Sequence, residues 1–317
     1  MQAITRTQYG GPEVLKLSDV DKPSVKPDHL LIKVKANSAN PADWHILRGK
    51  PAFARVSFGL FKPKNNILGA DFAGIVEAVG ENVSNFKIGD RVFGEQLKGG
   101  AFAEYACIPA KVIGHMPDNI GFQDMAAAPI AGITALQALL THGQIKTGES
   151  VLINGSSGGV GHFAVQVAKA QGAKVTAVCS AKNRDFVLGL GADHVLAYDE
   201  TDIHKHDGQY DLVLDTNGNL FLSDYKRMGK RGVVVGFTTM GHMMTLMLKS
   251  MFSKFPLTQF TAKANTEDLD TLAKFIENKL VNVHIEKTYK YQDIPGAIAY
   301  IETMRTRGKV VMIWEED

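Results

Sequence analysis

Three glycines at three-residue spacing stand out in Asn154-Gly155-Ser156-Ser157-Gly158-Gly159-Val160-Gly161, between an apolar run, Val151-Leu152-Ile153, and a helical pattern from Phe163 to Gln171. A strand that turns into a helix through glycines makes an anion site. Gly155 allows a tight turn, Gly158 lets the backbone approach a pyrophosphate, and Gly161 lets the helix pack on the strand, while the first helical N–H groups face the phosphate. The spacing reads G-x-x-G-x-x-G rather than G-x-G-x-x-G, so the assignment of Gly155, Ser156, Ser157, Gly158, Gly159, Val160 and Gly161 to a dinucleotide needs support from the flanking sequence.

That support follows directly. Gly172-Ala173 and a second strand, Lys174 to Cys179, complete a β-turn-α-turn-β unit within the roughly 30 residues such a unit requires. At the end of this second strand, roughly 20 residues past the glycines, an NAD enzyme places an acid on the ribose 2′-hydroxyl. This chain instead has Ser180, Lys182 and Arg184. A hydroxyl and two cations suit a 2′-phosphate that a carboxylate would repel, so NADPH is expected over NADH, with a solvated polar turn as the other reading of the same residues. Asp185, the nearby acid, is assigned to the next helix.

The elements that must position this loop are legible along the chain. Residues 1 to about 118 read as short alternating strands, Leu30 to Ala36, Ala73 to Val79, Asp90 to Phe93 and Phe102 to Ile108, punctuated by Gly, Pro, Asn and Asp. Around Phe122 the pattern becomes helical, and from Val151 strands and helices alternate through Ala192 to Tyr198, Leu212 to Asp215 and Val233 to Phe237, which argues for a parallel sheet covered by helices. Helical patterns over Glu267 to Asn278 and Ile294 to Thr303, then a strand at Gly308 to Ile313, are expected to return to the N-terminal module.

A chain of 317 residues is about two domains long, and 45% apolar with 21% charged residues fits a globular protein. No apolar run approaches the roughly 18 residues of a membrane span. The first residues, Met1-Gln2-Ala3-Ile4-Thr5, lack a basic region followed by an apolar stretch, so a cytoplasmic location is expected. A net charge of +2 gives no ground for nucleic-acid binding. Two cysteines, Cys107 and Cys179, exclude a four-thiolate zinc site and a disulfide framework.

Taken together, Gly69-Ala70-Asp71-Phe72-Ala73-Gly74-Ile75-Val76, Val79-Gly80, Phe86-Lys87-Ile88-Gly89-Asp90-Arg91-Val92, Gly100-Ala101-Phe102-Ala103-Glu104-Tyr105, the glycine loop and Gly308-Lys309-Val310-Val311 resemble the medium-chain dehydrogenase/reductase superfamily, in its zinc-free quinone oxidoreductase branch. The resemblance covers essentially the whole chain. It implies an α/β fold, a Rossmann doubly wound parallel sheet over 122–261 plus a GroES-like β-rich catalytic domain from 1–121 and 262–317, and a homodimer. Zinc members carry a Cys ligand where this chain has Asn40 and a His-Glu pair where it has Ala70-Asp71; a further ligand falls near Ile130. Asn, Ala and Ile cannot supply a tetrahedral zinc site, so no metal is expected.

Without a Lewis acid, alcohol oxidation loses its main stabilisation, whereas a quinone or an α,β-unsaturated carbonyl accepts hydride directly. Hydride transfer from NADPH to such an acceptor is therefore expected, against a zinc-free alcohol or aldehyde dehydrogenase and a non-catalytic NADPH-binding scaffold or sensor as rivals. The resemblance places Asn40, Asp43 and His45 beside the nicotinamide, with Asn40 donating to a carbonyl oxygen. Asn40-Pro41 also reads as a turn, Asp43 as a helix cap and His45 as a packed or surface histidine. Tyr198 resembles the family tyrosine on the 2′-phosphate, and Thr134 and Lys309 resemble contacts toward the nicotinamide. Asp215-Thr216-Asn217 and Gly236-Phe237-Thr238 fall at the carboxyl edge of the sheet, where open α/β folds bind ligands. The Met- and Leu-rich stretch Met243 to Phe252 reads as core, interface or pocket wall, Phe53 to Phe61 as a lid or a surface excursion, and His204 and His206 as solvated.

Overall fold

The computed structural model describes residues 1–314. Two compact units emerge: Met1–Ile130 with Ala264–Glu277 and the chain from Val283 onward, and Ala131–Lys263 with Asn278–Asn282. The last three residues of the expected 262–317 segment lie outside the described residues.

The first unit begins with an antiparallel ribbon, β1 (Gln2–Thr5) on β2 (Lys16–Asp19). Its main sheet takes β3 (His29–Ala39), β4 (Asp71–Val79), β5 (Arg91–Glu95), β6 (Tyr105–Pro109) and β7 (Ile113–His115), with β3 pairing both β4 and β6. Leu30, Ile32 and Val34 alternate inward along β3 and join Phe72, Phe102 and Ile108 in the core, the period that a strand with one buried face demands. The antiparallel register sets Ser38 opposite Asp71 and Asp71 opposite Glu95. Directly after β3, helix α1 (Pro41–Arg48) starts with proline at its first position and stops at Gly49, whose φ of 59° is the left-handed conformation glycine tolerates. The short α2 (Arg55–Phe58) follows, in an excursion where Phe53 and Phe61 are exposed. Helix α3 (Phe122–Ala127) packs on β3 and β4, so by its contacts it belongs with the first unit, although its helical pattern suggests the nucleotide-binding half.

Helix α4 (Pro129–Leu136) carries the chain from one unit into the other. The second unit then runs β8 (Ser150–Asn154), α5 (Gly159–Ala170), β9 (Lys174–Cys179), α6 (Arg184–Gly189), β10 (His194–Ala197), β11 (Tyr210–Asp215), α7 (Leu222–Met228), β12 (Gly229–Val234), α8 (Met240–Met251) and β13 (Leu257–Gln259). All pairings are parallel, in the order β10-β9-β8-β11-β12-β13. The order reverses between β8 and β11, the switch point where open parallel sheets bind ligands. Gly236 and Phe237 lie beyond β12 in a loop, not inside the strand their apolar pattern suggests. In α8 only Leu246 is buried, while Met244, Met247, Leu248 and Met251 are exposed, so the Met-rich stretch is not core. Thr245, Leu246 and Lys249 instead line a surface cavity of about 630 Å³ with Phe221 and His242.

The chain returns to the first unit through α9 (Thr266–Glu277), β14 (Ile285–Lys290), α10 (Ile294–Glu302) and β15 (Lys309–Ile313). β15 lies antiparallel on β3 with Val310 opposite Ala39, which brings the adjoining Lys309 to Asn40. Among the described residues no helix is long and apolar enough to cross a membrane. Phe72 is fully buried at the centre of the sheet, so Phe72→Ala should cost about 3–5 kcal/mol, read as a lower denaturant midpoint at unchanged slope.

Candidate functional site

Two groups of polar residues carry chemistry, one in each unit. In the second unit, β8 ends at Asn154 and Gly155 turns with φ of 81°. A Cβ on Gly155 would lie 2.5 Å from Thr216 Oγ1, and one on Gly161 would lie 2.1 Å from the Gly155 carbonyl oxygen, so both glycines are required by close packing. The backbone N–H groups of Gly155 and Ser156 donate to the Val178 carbonyl at 3.1 and 3.0 Å, and Ser156 Oγ donates to the same oxygen at 2.9 Å. These two residues therefore fasten the loop to β9 and have no N–H left for a phosphate, which corrects the expected cradle. The first α5 bond runs from His162 N to Gly158 O, so the N–H groups of Gly159, Val160 and Gly161 open at the positive end of a 12-residue helix.

Around this mouth, Asn183 Nδ2 donates to Ser157 Oγ at 3.1 Å. Ser180 is buried, Lys182 is exposed, and the Arg184 guanidinium forms an exposed ion pair with Glu200. Tyr198 is exposed and its N–H donates to Cys179 O. Asp199, which the sequence pattern does not single out, accepts from Ala181 N at 2.8 Å and brings a carboxylate to the turn after β9.

Asp215 is fully buried and is committed elsewhere. Its carboxylate accepts from Asn154 Nδ2, the N–H groups of Asn217, Gly218 and Leu220, and Tyr225 Oη. It holds the loop after β11 and has no lone pair to offer a cofactor. Gly236 packs on that loop, since its Cβ would meet Thr216 O at 2.5 Å. Thr134 is buried in α4, and Phe237 is half-buried. His204 and His206 are not simply solvated, because His204 Nδ1 lies 2.7 Å from Asp224 Oδ2 and His206 bonds Tyr210 Oη.

The first unit gathers Ser38, Asn40, Asp43, Asp71, Glu95 and Lys309, all nearly sealed from solvent. Asp71 Oδ2 accepts from Asn40 Nδ2 at 2.8 Å and Ser38 Oγ at 3.0 Å, with Lys309 Nζ at 3.5 Å, while its Oδ1 accepts from Ile130 N at 3.0 Å. Asn40 Nδ2 also donates to Ser38 O at 3.3 Å, and Asn40 Oδ1 accepts from Lys309 Nζ. Both amide hydrogens of Asn40 are thus engaged, so the expected donation to a substrate carbonyl has no hydrogen to make it. Lys309 retains a third N–H beyond these two bonds. Asp43 Oδ2 accepts from Asn40 N at 2.8 Å and locks the start of α1. His45, on the same helix, is stacked on Trp44 with centroids 3.7 Å apart, and the groups acting on it are Lys50 and Glu302 rather than Asp71, so it stands apart from this network.

The electrostatics follow from one ammonium among three carboxyl groups. Burial pushes Asp43 up to about 7, with Asp71 adding to the shift against the Asn40 N–H. Burial followed by Asp71 and then Asp43 pushes Glu95 up to about 8. Asp71 is raised by burial despite Lys309, and burial lowers Lys309. Asp71 and Glu95 are site members the sequence pattern does not reveal as such; strand register is what joins them. Among the described residues no three His, Cys, Asp or Glu side chains are grouped to hold a metal, and Asn40 and Ala70 offer no donor set for zinc.

Because Asp43 and Glu95 keep protons that an unfolded acid near pH 4 releases, the folded state binds more protons between about pH 4 and 8. Their contribution is full at the acid end and is lost as pH rises, so the thermal midpoint should fall between about pH 5 and 8.5. Lys309→Met leaves Asp71 without its cation and should cost about 3–5 kcal/mol at pH 8 in denaturant unfolding, and less as pH falls, because burial already raises Asp71 and favours its neutral form once the cation is gone.

Residues 26–118 match the Alcohol dehydrogenase GroES-like domain family and residues 190–312 the Zinc-binding dehydrogenase family. The Chloroplast envelope quinone oxidoreductase homolog of Arabidopsis thaliana is 33% identical, over 98% of each chain. The 2-methylene-furan-3-one reductase of Solanum lycopersicum is 32% identical, over 98% of this chain and 79% of its own. The structure of Escherichia coli quinone oxidoreductase complexed with NADPH superposes with a TM-score of 0.84 at 25% identity, over 99% of this chain and all of the other.

Proposed function

Because this chain belongs to the quinone oxidoreductase branch of the medium-chain dehydrogenase/reductase family, we propose that it is a metal-independent reductase that moves hydride from NADPH to a quinone or an α,β-unsaturated carbonyl. The observation that carries this reading is the closed network at Asn40. Where zinc relatives bring ligands, Asn40 is bonded to Asp71 and Lys309, and the Ala70 side chain has no atom that could ligate a metal. An acceptor already electron-poor needs no Lewis acid to take hydride. The furanone reductase likeness supports an enone, and the NADPH complex of the bacterial neighbour supports the cofactor.

The residues of the second unit fit a dinucleotide. The open N–H groups of Gly159, Val160 and Gly161 would hold the pyrophosphate, with Ser157 beside them. Ser180, Lys182 and Tyr198 would take the 2′-phosphate, with Arg184 released from Glu200. Thr134 and Phe237 would line the nicotinamide side. NADPH, when bound, supplies the hydride. In the first unit, the remaining N–H of Lys309 would stabilise an acceptor oxygen that gains charge, and Asn40 and Asp71 would hold that ammonium in place. A homodimer in the cytoplasm belongs to the same reading.

Following NADPH absorbance with an ortho-quinone, an enone, an aldehyde and an alcohol with NADP⁺ in parallel tests it. Turnover should appear with the quinone or the enone and survive chelator treatment. Activity confined to the aldehyde or alcohol would sink the acceptor assignment, and tight NADPH binding without any turnover would make the protein a sensor. Lys182→Glu should raise the KM for NADPH about tenfold, the worth of one charge-assisted contact, and leave that for NADH nearly unchanged.

A further inference from the structure

We infer that Glu95 is the proton donor of this reaction, the carboxyl group that holds the proton delivered to the acceptor after hydride. The inference rests on the proposed reduction and adds the residue that completes it. Glu95 ends β5 directly opposite Asp71, and antiparallel partners place their side chains on one face, about 5 Å apart at Cβ. Only 8% of the residue is exposed.

Its neighbours are all engaged and Glu95 is not. Asp71 accepts from Asn40, Ser38, Ile130 and Lys309, and Asp43 accepts from Asn40. No hydrogen bond or ion pair reaches the Glu95 carboxyl among the described residues, and the charges acting on it are Asp71 on β4 and Asp43 on α1. A buried carboxylate without donors is strongly unfavourable, whereas the neutral acid tolerates the position. A carboxyl group kept only to hold the fold would be surrounded by donors, as Asp71 and Asp215 are. The single ammonium present, Lys309, is bonded to Asn40 and Asp71, which leaves the charge of Asp43 and Glu95 to be met by protons. Burial and the two neighbouring carboxyl groups put Glu95 at about 8, close to the working pH at which a general acid serves best.

The step balances. Hydride, released as a C–H bond of NADPH breaks and the cofactor is oxidised to NADP⁺, would bring an electron pair to the β-carbon of an enone, or to a quinone, and a C–H or O–H bond forms there. The displaced pair becomes an enolate or a phenolate. The Glu95 O–H bond breaks, directly or through one water, its electrons stay on the carboxylate, and the proton joins the α-carbon or the oxygen. Water then returns a proton to Glu95.

Glu95→Gln and Glu95→Asp in the full chain test this. Infrared spectra of the NADPH-free protein at neutral and alkaline pH should show a protonated-carboxyl C=O band that titrates near pH 8 in the parent and is missing in E95Q. In turnover, E95Q should lose about 100-fold or more in kcat with unchanged NADPH binding, and should lack the alkaline fall of the parent profile, while E95D restores part of the rate with a shifted profile. E95Q turning over within about twofold of the parent with the same alkaline limb, or keeping the full carbonyl band, overturns the proposal. Parent protein that oxidises no NADPH with any acceptor overturns the reductase reading and this donor role together, whereas turnover kept in E95Q overturns the donor role alone.

Discussion

A carboxylate with no access to water persists only if donors converge on it, and the first unit's polar site is organised by that demand at Asp71. The donors arrive from four separate places: Ser38 near the end of β3, Asn40 at the start of α1, the backbone of Ile130 in α4, and Lys309 at the start of β15. Each donor ties one element to the start of β4. The same bonds that make Asp71 tolerable therefore set where α1 begins and where the C-terminal strand enters. This also explains why Asn40 is unavailable to a substrate: its amide bridges an anion and a cation, and withdrawing it would expose both to the cost of unpaired burial.

The second unit solves a similar problem with the opposite result for ligand binding. Asp215 is as buried as Asp71, but five donors from one short stretch and its neighbours satisfy it, with no cation involved. Its role ends at shaping the loop after β11. On the adjacent strand, Gly155 and Ser156 give their N–H groups to Val178, which pins the turn so that the next three N–H groups remain at the helix mouth. The N–H groups that the internal bonds of this loop leave over are those of Gly159 to Gly161.

Much of this was legible in the sequence, and the division follows interaction range. The glycine turn, the parallel alternation after Val151 and the return of the tail depend on local pattern and connection rules, so Gly155 and Gly161 could be assigned from their spacing together with the strand and helix patterns that flank them. The fates of Ser156, Asp215, Asn40 and His45 could not, because each depends on which hydrogen bonds its atoms make. His45 sits only two residues from Asp43, yet the turn of α1 points it toward Trp44 and away from the network. Lys309 reads equally well as a surface lysine until β15 is placed beside β3, a pairing across most of the chain.

Glu95 shows the limit most sharply. On β5 it follows Arg91-Val92-Phe93-Gly94, and nothing in that run separates it from an exposed strand-end acid. Its character comes entirely from register: a slip of one residue would carry its side chain to the other face, away from Asp71. In the observed register it is held beside two other acids with no donor of its own. The constraint that makes Asp71 the structural centre thus leaves Glu95 as the group whose charge is not met. A fold that collects four donors around one carboxyl group and none around its cross-strand partner separates two roles that sequence alone presents as the same residue type, one fixed by its neighbours, the other free to exchange a proton.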